Sequence, residues 1–453
     1  MNHYVRAALL ALLILASLGL HALTITEPLW LDEAISARQA TGSIADTVSR
    51  VVYDVHTPLY HVLLNKWTDI TGTNAWQIRS LSIIFHALSI YALYRLGQDF
   101  YTESTAWISA ALLAITEATV HYGQEARPYS LLILLSILST YTYLSYRDNK
   151  KKTALTAHTA INAALLYTHV FGALILAAQA LNEVIDWYNT KANKTNMVMS
   201  WATTLVLFSP WLPILYDQVQ TSALTWLTTP TLTSITDAYI VLLGTPITVL
   251  LVLAVLIASN HTTNRFLTLW AFLPPLILLT VSYTVGPMWH HRYILLTIPV
   301  LYLLIGNHLD SYTTTWKTAI ITALVILALT THFYPDNLER DEWDNVANEL
   351  NATNQTIIVH PVSHIEPLTR LTLPECVTDD IYQCTAQKGL TGPAFGECCS
   401  PQTPLLGTNK TLSDVDNPVI IQVSQISGLD DITKTYNDTK LSSTHKRAIA
   451  VYK

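Results

Sequence analysis

Glycine is scarce in this chain, 14 of 453 residues, and neither a G-x-G-x-x-G stretch nor a P-loop occurs in it. A sugar nucleotide or dinucleotide held on a glycine-rich strand-to-helix turn is therefore not expected. Charge is scarce too: 13% of residues are Asp, Glu, Lys or Arg, against 51% hydrophobic, with a mean hydropathy of +0.32. That excludes an ordinary soluble protein of this length and points to a polytopic membrane protein. No basic excess exists to meet nucleic-acid phosphates, because the formal charge is -7. The imbalance is local: residues 334–453 carry 16 acids and 9 bases, which leaves 16 of each in 1–333. Cysteine is absent from the first 375 residues, and all four cysteines, Cys376, Cys384, Cys398 and Cys399, lie in the acidic tail.

What is abundant is apolar sequence in runs long enough to cross roughly 30 Å of hydrocarbon at about 1.5 Å per residue. Spans are expected at 5–25, 78–98, 104–121, 128–146, 153–168, 170–188, 198–216, 237–258, 265–285, 292–307 and 317–333, about eleven in all. The first also has the basic start and apolar centre of a signal peptide, but its length and the many spans behind it favour a membrane helix. The run "RDNKKK" (147–152) should stay cytoplasmic, with Lys191, Lys194 and Arg265 on the same side. The N-terminus is then inside and the C-terminus outside. Trp30, Trp211, Trp289 and Trp316 fall near span ends, where an interfacial belt would put them, although tryptophan is common in cores as well.

Beyond about residue 334 the pattern becomes strand-like at 356–360, 418–423 and 446–452, with a helical run "RDEWDNVANELN". A small exported α/β domain is expected over 334–453, behind a membrane domain over 1–333. Its cysteines suit two disulfides better than zinc, since paired C-x-x-C knuckles are missing and neighbouring Cys398 and Cys399 are expected to bond elsewhere. Sequons at Asn351, Asn354, Asn409 and Asn437 suit an external location, whereas those at Asn193 and Asn260 fall in cytoplasmic loops and should be silent.

Under this topology three external loops hold the polar residues that matter. The first carries Asp32, Glu33, Arg38, His56 and His61; the second, "HYGQEARPY", carries Glu125 and Arg127; the fifth, "MWHHRY", carries His290, His291 and Arg292. Carboxylates can take a proton or hold a metal, and guanidinium groups suit phosphate oxygens, which is what a phosphorylated, membrane-embedded substrate needs. Each piece also has a plainer reading. Asp32 and Glu33 suit the positive end of an interfacial helix, Arg127 and Arg292 suit snorkelling, and His56 and His61 at i and i+5 do not share a helical face. His86, His158 and His169 read as satisfied bundle residues. It is their order along the chain that favours a site.

The ordered set "PLWLDEA", "HTPLYHVLL", "YGQEARPYSLLILLSILSTY", "LLYTHVFGALILAAQAL", "SPWLPIL" and "HHRYILLTIPVLYLL" resembles the GT-C fold glycosyltransferases related to protein O-mannosyltransferases, the aminoarabinose transferase and the RgtA/B/C/D-like group, over about residues 1–330. The resemblance implies an inverting transferase that takes a sugar from a polyprenyl-phosphate donor in the membrane to a protein, lipid or glycan acceptor. It implies Asp32 as catalytic base with Glu33 assisting, and Glu125 near the donor. A divalent metal ion on Asp32 and Glu125 is a candidate cofactor, and His56, Tyr60, Arg127, Tyr129, His290, His291, Arg292 and Tyr293 are the candidate substrate contacts. The chain departs from the family's "HPPLYY" at Thr57 and His61, which puts roles of the second proline and second tyrosine in question. The rivals are a transporter or flippase of lipid-linked sugars, an oligosaccharyltransferase subunit and a non-catalytic surface protein. Transport places ionisable groups at mid-membrane, and "EWDNV" (342–346) is only a faint echo of a WWDYG signature.

Overall fold

The computed structural model describes residues 2–27, 29–221, 227–258 and 264–332, together with the backbone of 357–360, 419–423 and 449–452. Contacts divide the chain into two compact units: residues 1–27, 39–219 and 227–339, and residues 28–38, 220–226 and 340–453.

The first unit is helical. Its long helices are α1 (His3–Ala22), α5 (Ala75–Phe100), α8 (Tyr129–Asn149), α10 (Ala173–Thr190), α11 (Thr195–Phe208), which runs on into α12 (Leu212–Thr221), α15 (Arg265–Thr284), α16 (Ile298–Leu309) and α17 (Thr314–Thr331). Between them lie α3 (Ile44–Val52), α4 (Leu59–Thr71), α6 (Glu103–Ile115), α7 (Glu117–Gln124), α9 (Lys152–Thr168), α13 (Leu232–Leu243) and α14 (Pro246–Ala258). By length and composition, eight segments of the described residues are able to cross a membrane, or nine if the bent pair α13–α14 is one crossing. The eleven expected spans therefore reduce to eight or nine of full length, and the remaining two are still helices. The expected 104–121 span breaks at Thr116, whose backbone is extended (ψ 133°), into 13-residue α6 and 8-residue α7. The expected 153–168 span forms the 17-residue α9. Between α13 and α14 the chain turns by 89°. Gly244 makes that turn with φ +98°, a conformation that favours a residue without Cβ.

Apolar side chains face outward along the long helices, as they do where lipid is the solvent: Leu12, Leu15, Leu205, Val206 and Ile326 are exposed. Polar side chains are instead held inside. Ser139 on α8 donates to Asn162 on α9 (2.6 Å), and Gln179 on α10 donates to Ser139 (2.9 Å). His158 lies between Ser200 on α11 (2.9 Å) and Gln179 (3.0 Å), the satisfied bundle role expected of it. Arg79 on α5 is fully buried and donates to the carbonyls of Ile25 (3.0 Å) and Glu27 (2.5 Å), while Gln124 donates to Thr24 Oγ1 (2.6 Å). The chain leaving α1 is thus tied to α5 and α7. Of the expected belt tryptophans, Trp316 is 65% exposed, but Trp211 and Trp289 are buried. Trp211 packs with Val51, Leu166 and Phe208, and Trp289 donates to the Ser234 carbonyl at 3.1 Å.

In the second unit, α2 (Leu31–Gln39) starts with Asp32 and Glu33 in its first turn. Three strands, β1 (Ile357–His360), β2 (Val419–Val423) and β3 (Ile449–Tyr452), form one sheet in the order β1-β2-β3. β1 runs parallel to β2, with Ile357 opposite Val419, and β3 runs antiparallel to β2, with Tyr452 opposite Ile420. The strand-like runs of the sequence lie at these three places. The expected tail helix, the four cysteines and the sequons at Asn351, Asn354, Asn409, Asn437 and Asn260 lie outside the described residues.

Candidate active site

The first unit brings His56, Arg127, Tyr129, His290, His291, Arg292 and Tyr293 together. His56 is carried by the segment joining α3 to α4. A capping box between Ser43 and Asp46 starts α3, and Pro58 precedes the first turn of α4. The segment is fixed from both sides. Gln218 at the end of α12 donates to the carbonyls of Val51 (3.0 Å) and His56 (3.1 Å), and Asp54 accepts from Gln39 (2.6 Å). Asn65 on α4 donates to the carbonyls of Ala40 and Gly42, both at 2.9 Å.

Glu125 and Arg127 follow α7, which is seated by a close approach. A Cβ on Gly123 would stand 2.6 Å from His86 Nδ1 and 3.2 Å from His21 Cε1, so only glycine lets α7 rest on these two imidazoles of α5 and α1. Glu125, fully buried, ends α7, and its carbonyl accepts the Arg127 N–H at 2.7 Å. Arg127 Nη2 donates to His56 Nε2 at 2.5 Å. A guanidinium has only protons to give, so His56 must offer a lone pair there, which fixes its tautomer with the proton on Nδ1.

The rings close a circuit. His61 stacks on His56 (5.9 Å between centroids), His56 meets His169 (6.0 Å), His169 meets Tyr129 (6.3 Å), and Tyr129 meets Tyr122 (5.5 Å). Tyr122 meets His291 (6.0 Å), His291 meets His290 (4.0 Å), His290 meets Tyr293 (5.9 Å), and Tyr293 returns to His169 (6.3 Å). Tyr122 and His291 share a hydrogen bond of 2.7 Å, and Arg292 bonds the same phenol. Burial is the largest influence on the imidazoles outside the spans. It pushes His169 down to about 4, with Arg127 adding to the effect. His56 is held well below its ordinary value by burial and then by Arg127, and His61 is lowered by burial despite Asp54. His169 Nδ1 already accepts the Phe171 N–H (3.2 Å), a second reason for it to stay neutral.

Tyr60, fully buried on α4, borders the circuit: its ring meets His61 edge-on (5.7 Å between centroids), and its hydroxyl shares a hydrogen bond of 2.8 Å with Ser82 on α5. Asp32 and Glu33 belong to the second unit. Glu33 is buried, and its Oε2 accepts the Trp30 N–H (3.4 Å), so the helix-start reading of this pair is realised; Asp32 is half-buried. Among the described residues, no three His, Cys, Asp or Glu side chains form a group that could hold a metal ion. His169, read from sequence as a bundle residue, stands at the junction of the circuit. Tyr122 and Gln218 are further members that sequence reasoning passed over, although Tyr122 lies inside the quoted run "HYGQEARPY".

Comparison with known proteins agrees with the resemblance. Residues 55–214 match the family described as dolichyl-phosphate-mannose-protein mannosyltransferase, a stretch that includes His56 and Arg127. The whole chain is similar in fold to ArnT from Cupriavidus metallidurans, solved in the apo state (TM-score 0.63) and bound to undecaprenyl phosphate (0.61). Identity to both is 12%, and the apo match covers 99% of this chain and 98% of that one. The archaeal oligosaccharyltransferase AglB from Archaeoglobus fulgidus, in complex with an inhibitory peptide and a dolichol-phosphate, is similar at TM-score 0.50 and 10% identity, over 92% of this chain and 69% of that one. No curated protein matches the chain. The described part is thus a polytopic helical membrane protein with the fold of membrane glycosyltransferases.

Proposed function

We propose that this chain is an inverting glycosyltransferase that moves a sugar from a polyprenyl-phosphate donor to a protein, lipid or glycan acceptor at the outer face of the membrane. The observation that carries the reading is the buried imidazole and phenol circuit with Arg127 and Arg292 in it, within a fold shared with a protein solved with undecaprenyl phosphate.

The chemistry follows from the side chains. Arg127 and Arg292 meet the donor phosphate with charge-assisted hydrogen bonds. Neutral His56 and His169 leave that positive field uncompeted. Asp32 takes the proton of the acceptor hydroxyl as its oxygen attacks the anomeric carbon from the side opposite the phosphate. The carbon–oxygen bond to phosphate breaks, its electron pair leaves with the phosphate, and the anomeric carbon inverts. Burial of Glu33 at the start of α2 orients the turn that bears Asp32, and Glu125 fixes the Arg127 loop near the donor. In this reading residues 1–333 form the catalytic membrane domain, with its N-terminus cytoplasmic. Residues 334–453 form an exported α/β domain closed by disulfides among Cys376, Cys384, Cys398 and Cys399.

The test is to incubate the purified protein with a panel of polyprenyl-phosphate sugars and follow donor consumption. Wild type should consume one donor. The Asp32→Asn variant, folded and inserted, should turn over about 10²-fold more slowly or worse, the scale of general-base loss. Turnover at the wild-type rate would remove Asp32 from the mechanism, and inertness toward every donor would remove the function.

A further inference from the structure

At the other end of α8 from Tyr129 lies a second polar cluster that the transfer reaction does not use. Twenty-one residues of helix at about 1.5 Å each separate the two by some 30 Å, so this cluster sits on the opposite membrane face from the candidate active site. Here the ends of α8 and α10 meet the starts of α11 and α15. Glu183 accepts from Tyr143 (2.7 Å) and pairs with Arg147 and with Lys194 (2.7 Å). Asp186 pairs with Lys194 (2.5 Å), Arg147 (3.4 Å) and Arg265 (3.5 Å). Three cations thus share two carboxylates among the described residues. The cluster opens into a cavity of about 260 Å³ lined by Tyr146, Arg147, Lys150, Glu183, Lys194 and Asn196, among others.

Helix pinning alone explains two cations on two carboxylates, but not the third, nor Lys150 at the cavity wall. Lys150 ends α8 with φ +54°, and Lys191 ends α10 with the same φ. Both occupy a left-handed cap that favours glycine. Each lies over aromatic rings, Lys150 on Tyr146 (5.2 Å) and Lys191 on Trp187 (4.7 Å) and Tyr188 (4.8 Å). Trp187 and Tyr188 are exposed while Tyr146 is buried; cations with aromatics at helix ends are the composition of a membrane interface, and apolar Val198 and Met199 are exposed on α11 just beyond the cavity.

We infer that this cavity binds the phosphodiester headgroup of an anionic membrane lipid, with Lys150 and Lys194 facing the phosphate and the acyl chains along α11. With Lys150 the cations exceed the two carboxylates by two, which leaves positive charge for one phosphodiester, and Glu183 on the cavity wall disfavours a more highly charged anion. Basic pockets between helix ends recognise lipid headgroups in this way.

The test uses the full chain in nanodiscs of equal parts phosphatidylglycerol and phosphatidylcholine, extracted mildly and weighed by native mass spectrometry. Retained phosphatidylglycerol is expected on wild type and on Lys150→Arg, with a loss of about tenfold on Lys150→Glu. Lys150 is exposed and outside the ion-pair cluster, so these variants should fold; their donor turnover, measured alongside, checks this. Equal retention of both lipids, or no response to Lys150→Glu, would overturn the inference. Displacement of the lipid by millimolar inorganic phosphate would assign a soluble anion and overturn the lipid as the source.

Discussion

His169 gives the most quantitative handle on the candidate site. It is 6% exposed, its Nδ1 accepts the Phe171 N–H, and burial, then Arg127, push its pKa from 6.5 down to about 4. Between those values the unfolded chain holds a proton that the folded chain refuses, so stability rises with pH across this window. The contribution is fully present above pH 6.5 and is lost as the pH falls through 4. The shift corresponds to about 3 kcal/mol in total, or about 1 kcal/mol per pH unit near pH 5, from this one imidazole. His56 acts in the same direction. The assay is thermal unfolding in detergent from pH 8 to pH 4.5, comparing wild type with His169→Asn. Asparagine places an oxygen near the position of Nδ1, so it keeps an acceptor for the Phe171 N–H without titrating. The variant should lose less stability on acidification than wild type does. Identical pH profiles for the two proteins would refute the claim that His169 is held neutral by its surroundings.

Other perturbations probe the rest of the site. Arg127→Gln should weaken donor binding about tenfold or more, since a charge-assisted contact is lost, and Arg292→Ala should do likewise; titration with a polyprenyl phosphate reads both. Gly123→Ala should lower activity by moving α7 off His86, and adding His86→Ala should recover part of it; absence of recovery in the double variant would show that the seat does not matter. Gln218→Leu should loosen the His56 segment and cost about 1–3 kcal/mol, because the carbonyls of Val51 and His56 lose a buried donor; unchanged thermal unfolding would contradict that.

The helices were legible wherever one apolar run decided the matter. Where two neighbours decided, they were not. Thr116 and Gly244 break the runs where Glu117 and Thr245-Pro246 interrupt the apolar pattern, local signals too short to end an expected span by themselves, and Gly244 lies against Thr331. The site was legible as a set of motifs on three loops, because charge is so rare in the chain that each exception stands out. Its wiring was hidden: Gln218 reaches His56 across 162 residues, and Arg79 reaches Glu27 across 52. No local pattern announces a side chain whose partner is that far away. His169 was hidden for the opposite reason, since it lies within an apolar run and only tertiary placement separates it from His158.

The polar links inside the bundle bear on how the proposed lipid donor would enter. Ser139, Asn162, His158, Gln179 and Ser200 link α8 through α11 by side-chain hydrogen bonds. Sliding any one of these helices by a single turn, about 5.4 Å, would leave several of those groups facing hydrocarbon at once, with no water to rescue them. These four helices therefore act as a keyed stator. In the proposed reading, whatever gives way to admit a long polyprenyl chain has to be sought in the elements outside it, such as the right-angled α13–α14 pair, which turns on a single glycine and exposes Ile247, Leu250 and Ile257 on α14.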